Sequence, residues 1–161
     1  MACAGEVTLI WAGGAKCGTL EGMRIVVCVK HVPDMQSERR FEGGRLVRGE
    51  DDVLNELDEN AIEAAVQLKE AEEDAGREAE VVALTMGPED AEDALMRALQ
   101  MGADRAYIVS DEFLEGSDVI TTASVLSVAI AKIADECGPV DLVITGMASL
   151  DAMSSMLPGA L

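Results

Sequence analysis

AEVVALTMGPEDAEDALMRALQMGADRAYIVS, residues 79–110, reads as a strand, a helix and a second strand in succession. Ala79 to Gly87 is a short continuous apolar run rich in β-branched residues, the pattern of a strand covered on both faces. Pro88 then suits the first helical position, and Glu89 and Asp90 suit the positive end of the helix dipole in its first turn. Ala91, Ala94, Leu95, Ala98 and Leu99 recur at three- and four-residue steps and make one apolar face. Gly102 stands where a C′ glycine ends a helix, and DRAYIVS (104–110) returns to strand pattern. A strand, a helix and a strand in so few residues form a crossover unit, which joins parallel strands.

The same alternation extends in both directions. RIVVCVK (24–30) is another buried strand, ended by Pro33. Charged residues then surround Gly43-Gly44, which predicts a small surface hairpin pairing Arg39–Phe41 with Leu46–Arg48. LNELDENAIEAAVQLKEAEED (54–74) predicts the first long helix, with Leu57, Ala61, Ala64, Ala65 and Leu68 on its inner face and Gly76 as its stop. Beyond residue 110, DEFLEGSD is a loop leading to an N-cap at Ser117 or Asp118. VITTASVLSVAIAKIADEC (119–137) is a helix with so few charges that much of its circumference should be covered. VDLVITG (140–146) is a fourth strand ending at Gly146, and the chain closes with a loop that turns into another helix. The order predicts an α/β fold with a parallel sheet and helices on both faces. Ligands of such sheets bind beyond the carboxyl ends of the strands, where strand order reverses. The positions to inspect are therefore Cys28 to Val32, Met86-Gly87 and Gly146 onward.

Composition narrows the function. The chain has 161 residues, 49 % of them apolar and only 2 % aromatic, so it can build one aliphatic core. A net charge of −19 opposes nonspecific binding to nucleic acid and attachment to anionic membranes, and no apolar run is long enough to span a bilayer. Cys3, Cys17, Cys28 and Cys137 form no CxxC pair and His31 is the one histidine, which argues against zinc or iron–sulfur ligation. Scattered thiols suit a reducing cytoplasm better than a disulfide framework.

The common phosphate and nucleophile motifs are absent: no GxGxxG follows the first strand, and neither GxxxxGK[ST] nor GxSxG occurs. The glycine-rich GGAKCGTLEG (13–22) has no strand feeding it and no helix continuing it. TMGPED and TGMASLDAMSS remain, each a glycine at a strand end followed by an expected helix start. Backbone N–H groups there can bind phosphate, with Ser154 and Ser155 adding hydroxyl donors. The stretch Met147–Met153 carries no basic side chain, so a phosphate near Ser154 would depend on amides and the helix dipole.

MRIVVCVKHVPD, LNELDENAIEAAVQLKE, RALQMGADRAYIV and DLVITG together resemble the β subunit of the electron transfer flavoproteins, the family that includes the FixA-type proteins. The resemblance covers residues 23–161. It implies a Rossmann-like three-layer αβα fold of the nucleotide alpha-hydrolase type with a mostly parallel sheet, and an electron carrier rather than an enzyme. It implies a heterodimer with an α subunit that holds most of the redox FAD, and flavin-dependent dehydrogenases as electron donors. It also implies AMP, or a second FAD, in the β subunit itself. Carried over residue by residue, the nucleotide would lie against Cys28, Asn55, Met86 and the loop bearing Gly146, Ser149, Asp151, Ser154 and Ser155.

The family's β subunit runs on for roughly a hundred residues more, so the chain reads as its N-terminal portion, truncated at the C-terminus. The family's first strand also starts near the initiator methionine. Met23 then reads as the true start, and residues 1–22, without clear periodicity, as a non-native or disordered extension preceding the domain 23–161. The alternatives are a stand-alone adenine-nucleotide-binding domain of the universal-stress-protein kind, which typically carries a late GxxG-type motif not found here, and a nonfunctional remnant.

Overall fold

A computed structural model describes residues 9–14 and 22–161. Its centre is β2 (Met23–Cys28), in which every residue from Arg24 to Cys28 is buried. β2 pairs in parallel with β7 (Ala79–Met86) on one side and with β9 (Leu142–Thr145) on the other. β7 pairs in parallel with β8 (Arg105–Val109), and β1 (Leu9–Gly14) closes that edge by running antiparallel to β8. The five-stranded order is β1-β8-β7-β2-β9.

Because successive residues of a buried strand point to opposite faces, the sheet feeds two cores. Ile25, Val27, Val81, Ala83, Ala106 and Ile108 meet α1 (Glu56–Asp74) and α2 (Glu92–Gln100) on one face. Val26, Cys28, Val82, Leu84, Tyr107 and Val109 meet α3 (Val119–Cys137) on the other, with Leu157 of α4 (Leu157–Ala160) packed at the margin. Helices thus cover both faces of a mostly parallel sheet, the three-layer αβα arrangement. The path from β2 runs outward through β7 to β8, and α3 then carries the chain back across to β9 on the far side of β2. The order reverses between β2 and β9, and their carboxyl ends flank the resulting crevice.

The excursion between β2 and α1 forms two small ladders. β3 (His31–Pro33) pairs antiparallel with β6 (Asp52–Leu54), and β4 (Phe41–Glu42) pairs with β5 (Arg45–Leu46) around Gly43-Gly44. Both glycines have positive φ, 57° and 81°, as a two-residue hairpin turn requires. At the amino ends of the strands, Glu80 accepts from Arg24 Nε at 2.8 Å and pairs with Arg105 Nε at 2.5 Å, binding three neighbouring strands through buried charges.

Several expectations are corrected. Residues 9–14, read as part of an unpatterned extension, form a strand, because β8 offers an unpaired edge; residues 1–8 and 15–21 lie outside the described residues. On α1 the inner face is Asp58, Ala61, Ile62 and Ala65, whereas Ala64 is exposed and Leu68 is 40 % exposed. α3 leaves Ile120 and Val128 largely exposed, burying Ala123, Leu126, Ala129, Ile133 and Cys137. Its ends follow the sequence: Asp118 caps by accepting from Thr121 N–H at 2.8 Å, and Gly138 follows with a φ of 101°. The last helix begins at Leu157 and has four residues, so Ser154 does not stand at a helix start. Cys28 is a free, buried thiol, whereas Cys137 is disulfide-bonded, a pairing the scattered thiols did not suggest.

Candidate crevice site

Gly146 follows β9 at the point where that strand passes over the start of α1. A Cβ there would overlap a carboxylate oxygen of Asp58 and come within 3.0 Å of the Leu57 carbonyl oxygen. Close backbone approach, rather than a special φ, therefore demands glycine. The approach lets Asp58 bind both walls of the crevice. Its carboxylate accepts from Lys30 N–H at 2.8 Å, just beyond β2, and from the Gly146 N–H just beyond β9. Burial pushes the Asp58 carboxyl up to about 6, against these hydrogen bonds, that of the Asn55 side chain and the Lys30 charge.

Asn55 supplies the second tie. It is the N-cap residue of α1, but its side chain makes no cap. Instead Nδ2 donates to the Ala148 carbonyl at 2.9 Å, and Oδ1 accepts from Leu150 N–H at 3.0 Å. One fully buried amide thus clamps the loop after β9 as donor and acceptor at once. Its own backbone N–H donates to the Lys30 carbonyl at 2.9 Å, which fixes the start of α1 against the end of β2.

A cluster of charges lies at the outer rim. Lys30 Nζ donates to Asp151 Oδ2 at 2.8 Å, to Oδ1 at 3.0 Å and to Ser149 Oγ at 3.4 Å. The Arg48 guanidinium pairs with the same Asp151 carboxylate and donates to the His31 carbonyl at 3.3 Å. Arg39 donates to the Leu150 carbonyl at 3.1 Å. Burial opposes ionisation of Asp151, but hydrogen bonds from Lys30 and Arg48 outweigh it and hold the carboxyl well below the usual range. The Asp151 side chain is 2 % exposed, while those of Lys30 and Arg48 are 41 % and 37 % exposed.

Among the expected residues, Asn55, Gly146, Ser149 and Asp151 meet in this one constellation. Cys28 is buried at the end of β2 in the core against α3, its thiol pushed up to about 12 by burial and then by the Asp58 charge. Met86 ends β7, half-buried, on the same face of the sheet as Cys28. Ser154 and Ser155 are exposed and lie outside this hydrogen-bond network, with Met153 and Ser155 in left-handed backbone conformation, φ 51° and 49°. Arg48 and Asp58 were not foreseen, and Lys30 fell within the strand-end positions to inspect without being named for the site. Lys30 ends a strand that points at the crevice, a signal available in the sequence, but Arg48 reaches Asp151 across a separation of 103 residues that no local pattern encodes.

Comparison with known proteins adds an independent line. The profile of the electron transfer flavoprotein domain matches residues 44–160. The chain is 41 % identical over 137 residues to the electron transfer flavoprotein subunit beta of Mycobacterium bovis, covering 83 % of this chain and 50 % of the relative. It is 40 % identical over 134 residues to the subunit beta of Megasphaera elsdenii, with 80 % and 48 % covered. It is 39 % identical over 140 residues to protein FixA of Azorhizobium caulinodans, with 85 % and 48 % covered. The chain thus spans about half the length of these relatives.

Proposed function

The chain belongs to the electron transfer flavoprotein family, on its β-subunit side, and from that premise we propose that it binds an adenine nucleotide, AMP or FAD, in the crevice between β2 and β9. It does so as the partner of an α subunit, supporting electron transfer from flavin-dependent dehydrogenases through the FAD of the heterodimer, in the cytoplasm. The observation that carries this reading is the double clamp of Asn55 and Asp58. The two side chains fix the loop after β9 against the end of β2, at the reversal of strand order where such sheets take nucleotides. The residues present fit that class of ligand. Met86 gives a half-buried apolar side chain, Ser149 a hydroxyl, and Lys30 and Arg48 partly exposed cations suited to phosphate.

Flavin, once bound in the heterodimer, supplies the redox chemistry. This chain's residues bind and orient. Asn55 sets the height of the loop over the strand ends, Asp58 holds the two walls at fixed separation, and the buried Cys28 thiol keeps its proton. No helix among the described residues is long and apolar enough to cross a membrane.

Co-expression with an α-type subunit tests the proposal. The expected result is a one-to-one complex that carries flavin absorbance and releases adenine nucleotide on denaturation. A complex that contains no adenine nucleotide beyond its flavin and leaves the crevice residues unprotected, or no complex at all, would overturn it.

A further inference from the structure

We propose that Lys30 and Arg48 form the phosphate-reading pair of the crevice, oriented from beneath by Asp151. The inference rests on the nucleotide-site reading above and goes further by naming the side chains that distinguish a phosphorylated ligand from a nucleoside. Two cations converge on the Asp151 carboxylate, and the Lys30 charge also acts on Asp58. The Asp151 carboxylate is sealed inside the fold, while both cations keep more than a third of their side-chain surface in solvent. An anion arriving from solvent therefore meets the cations first, and Asp151 sits behind them as a positioning residue. Arg39 adds a third cation nearby, bonded to a neutral carbonyl rather than to a carboxylate. The cations come from the end of β2 and from the hairpin segment, so the four-residue α4 has no part in it.

The reading differs from a purely amide-held phosphate in a measurable way, because charge-assisted contacts discriminate phosphate and are screened by salt. The experiment is calorimetric titration of the full chain with AMP, adenosine and pyrophosphate, repeated for Lys30→Gln/Arg48→Gln and for Lys30→Arg. We expect wild type to prefer AMP over adenosine by roughly tenfold, a preference that falls with added salt. The double variant should lose most of that preference and its pyrophosphate binding while holding adenosine unchanged, and Lys30→Arg should retain both. Unchanged adenosine affinity also shows that the double variant is folded. An AMP preference that survives in the double variant, or wild-type binding of adenosine without any gain from phosphate, overturns the pair and leaves the nucleotide site standing. Wild type that binds none of the three overturns the site and the pair together.

Discussion

Asp58 is held between two opposing effects. Burial disfavours its charge, and the N–H groups of Lys30 and Gly146 favour it; burial wins and the pKa rises from 3.8 to about 6. A carboxyl whose folded pKa lies above its unfolded value adds most to stability at low pH, and that contribution is lost as pH climbs through the folded pKa. Asp58 should therefore lower stability by about 3 kcal/mol between roughly pH 4 and pH 6. Asp151 works the other way: its depressed pKa adds stability that is present above the unfolded carboxyl range and lost on acidification below it. Urea midpoints measured from pH 4 to pH 7 should fall through that window in wild type, and Asp58→Asn should remove the slope whatever its effect on the midpoint itself. An identical slope in both proteins would assign the titration to another group. Gly146→Ala belongs to the same scale. The added methyl group collides with the Asp58 carboxylate and the Leu57 carbonyl, so the loop must shift. The cost should be about 2–4 kcal/mol, with loss of nucleotide binding; a thermal melt within a degree of wild type would show that the approach is looser than described.

The segment between Gly146 and Leu157 shows how far sequence reading of elements reaches. The strands and long helices were legible because each repeats one signal several times. Val81, Val82, Ala83 and Leu84 are all buried, and Ala94, Leu95 and Ala98 of α2 are buried as the three- and four-residue steps predict, with Leu99 half-buried and Ala91 buried in the short turn just before the helix. The terminal helix was misplaced because MASLDAMSSM has no such repetition and its course is decided by distant partners. Asn55 holds residues 148 and 150, Lys30 and Arg48 hold Asp151, and Met153 and Ser155 take left-handed conformations that a helix cannot contain. Asn55, Gly146 and Asp151, three of the residues expected at the site, came from topology and family resemblance. Their physical roles did not, since Gly146 is explained by a neighbour from α1 and Asp151 by a hairpin 103 residues away. The same geometry gives a prediction for the element. Met153→Gly relieves a left-handed side-chain residue that is 62 % exposed and should stabilise the protein by about 0.5–1 kcal/mol. A drop in melting temperature would mean that Met153 makes contacts worth more than the strain.

At the scale of the whole molecule, the two poles of the sheet are built for different purposes. The amino-end pole locks β2, β7 and β8 through Glu80 between Arg24 and Arg105, all three almost fully buried. Removing the central charge leaves two guanidinium groups facing each other in low dielectric. Glu80→Gln should cost about 3–5 kcal/mol in chemical unfolding while leaving nucleotide affinity of the folded protein unchanged. Loss of affinity at full stability would instead tie that pole to function. The carboxyl-end pole is held by the Asn55 amide, the Asp58 carboxylate and ion pairs whose cations are partly exposed. The central claim is that this second pole, between β2 and β9, takes the nucleotide. Backbone amide chemical shifts recorded while AMP is titrated into the labelled chain test it most directly. The account predicts that the largest shifts fall on Cys28–Lys30, Asn55, Met86-Gly87 and Gly146–Asp151, and that Arg24, Glu80 and Arg105 stay still. Shifts centred on the Glu80 pole, or a spectrum that AMP leaves unchanged at every residue, would contradict it.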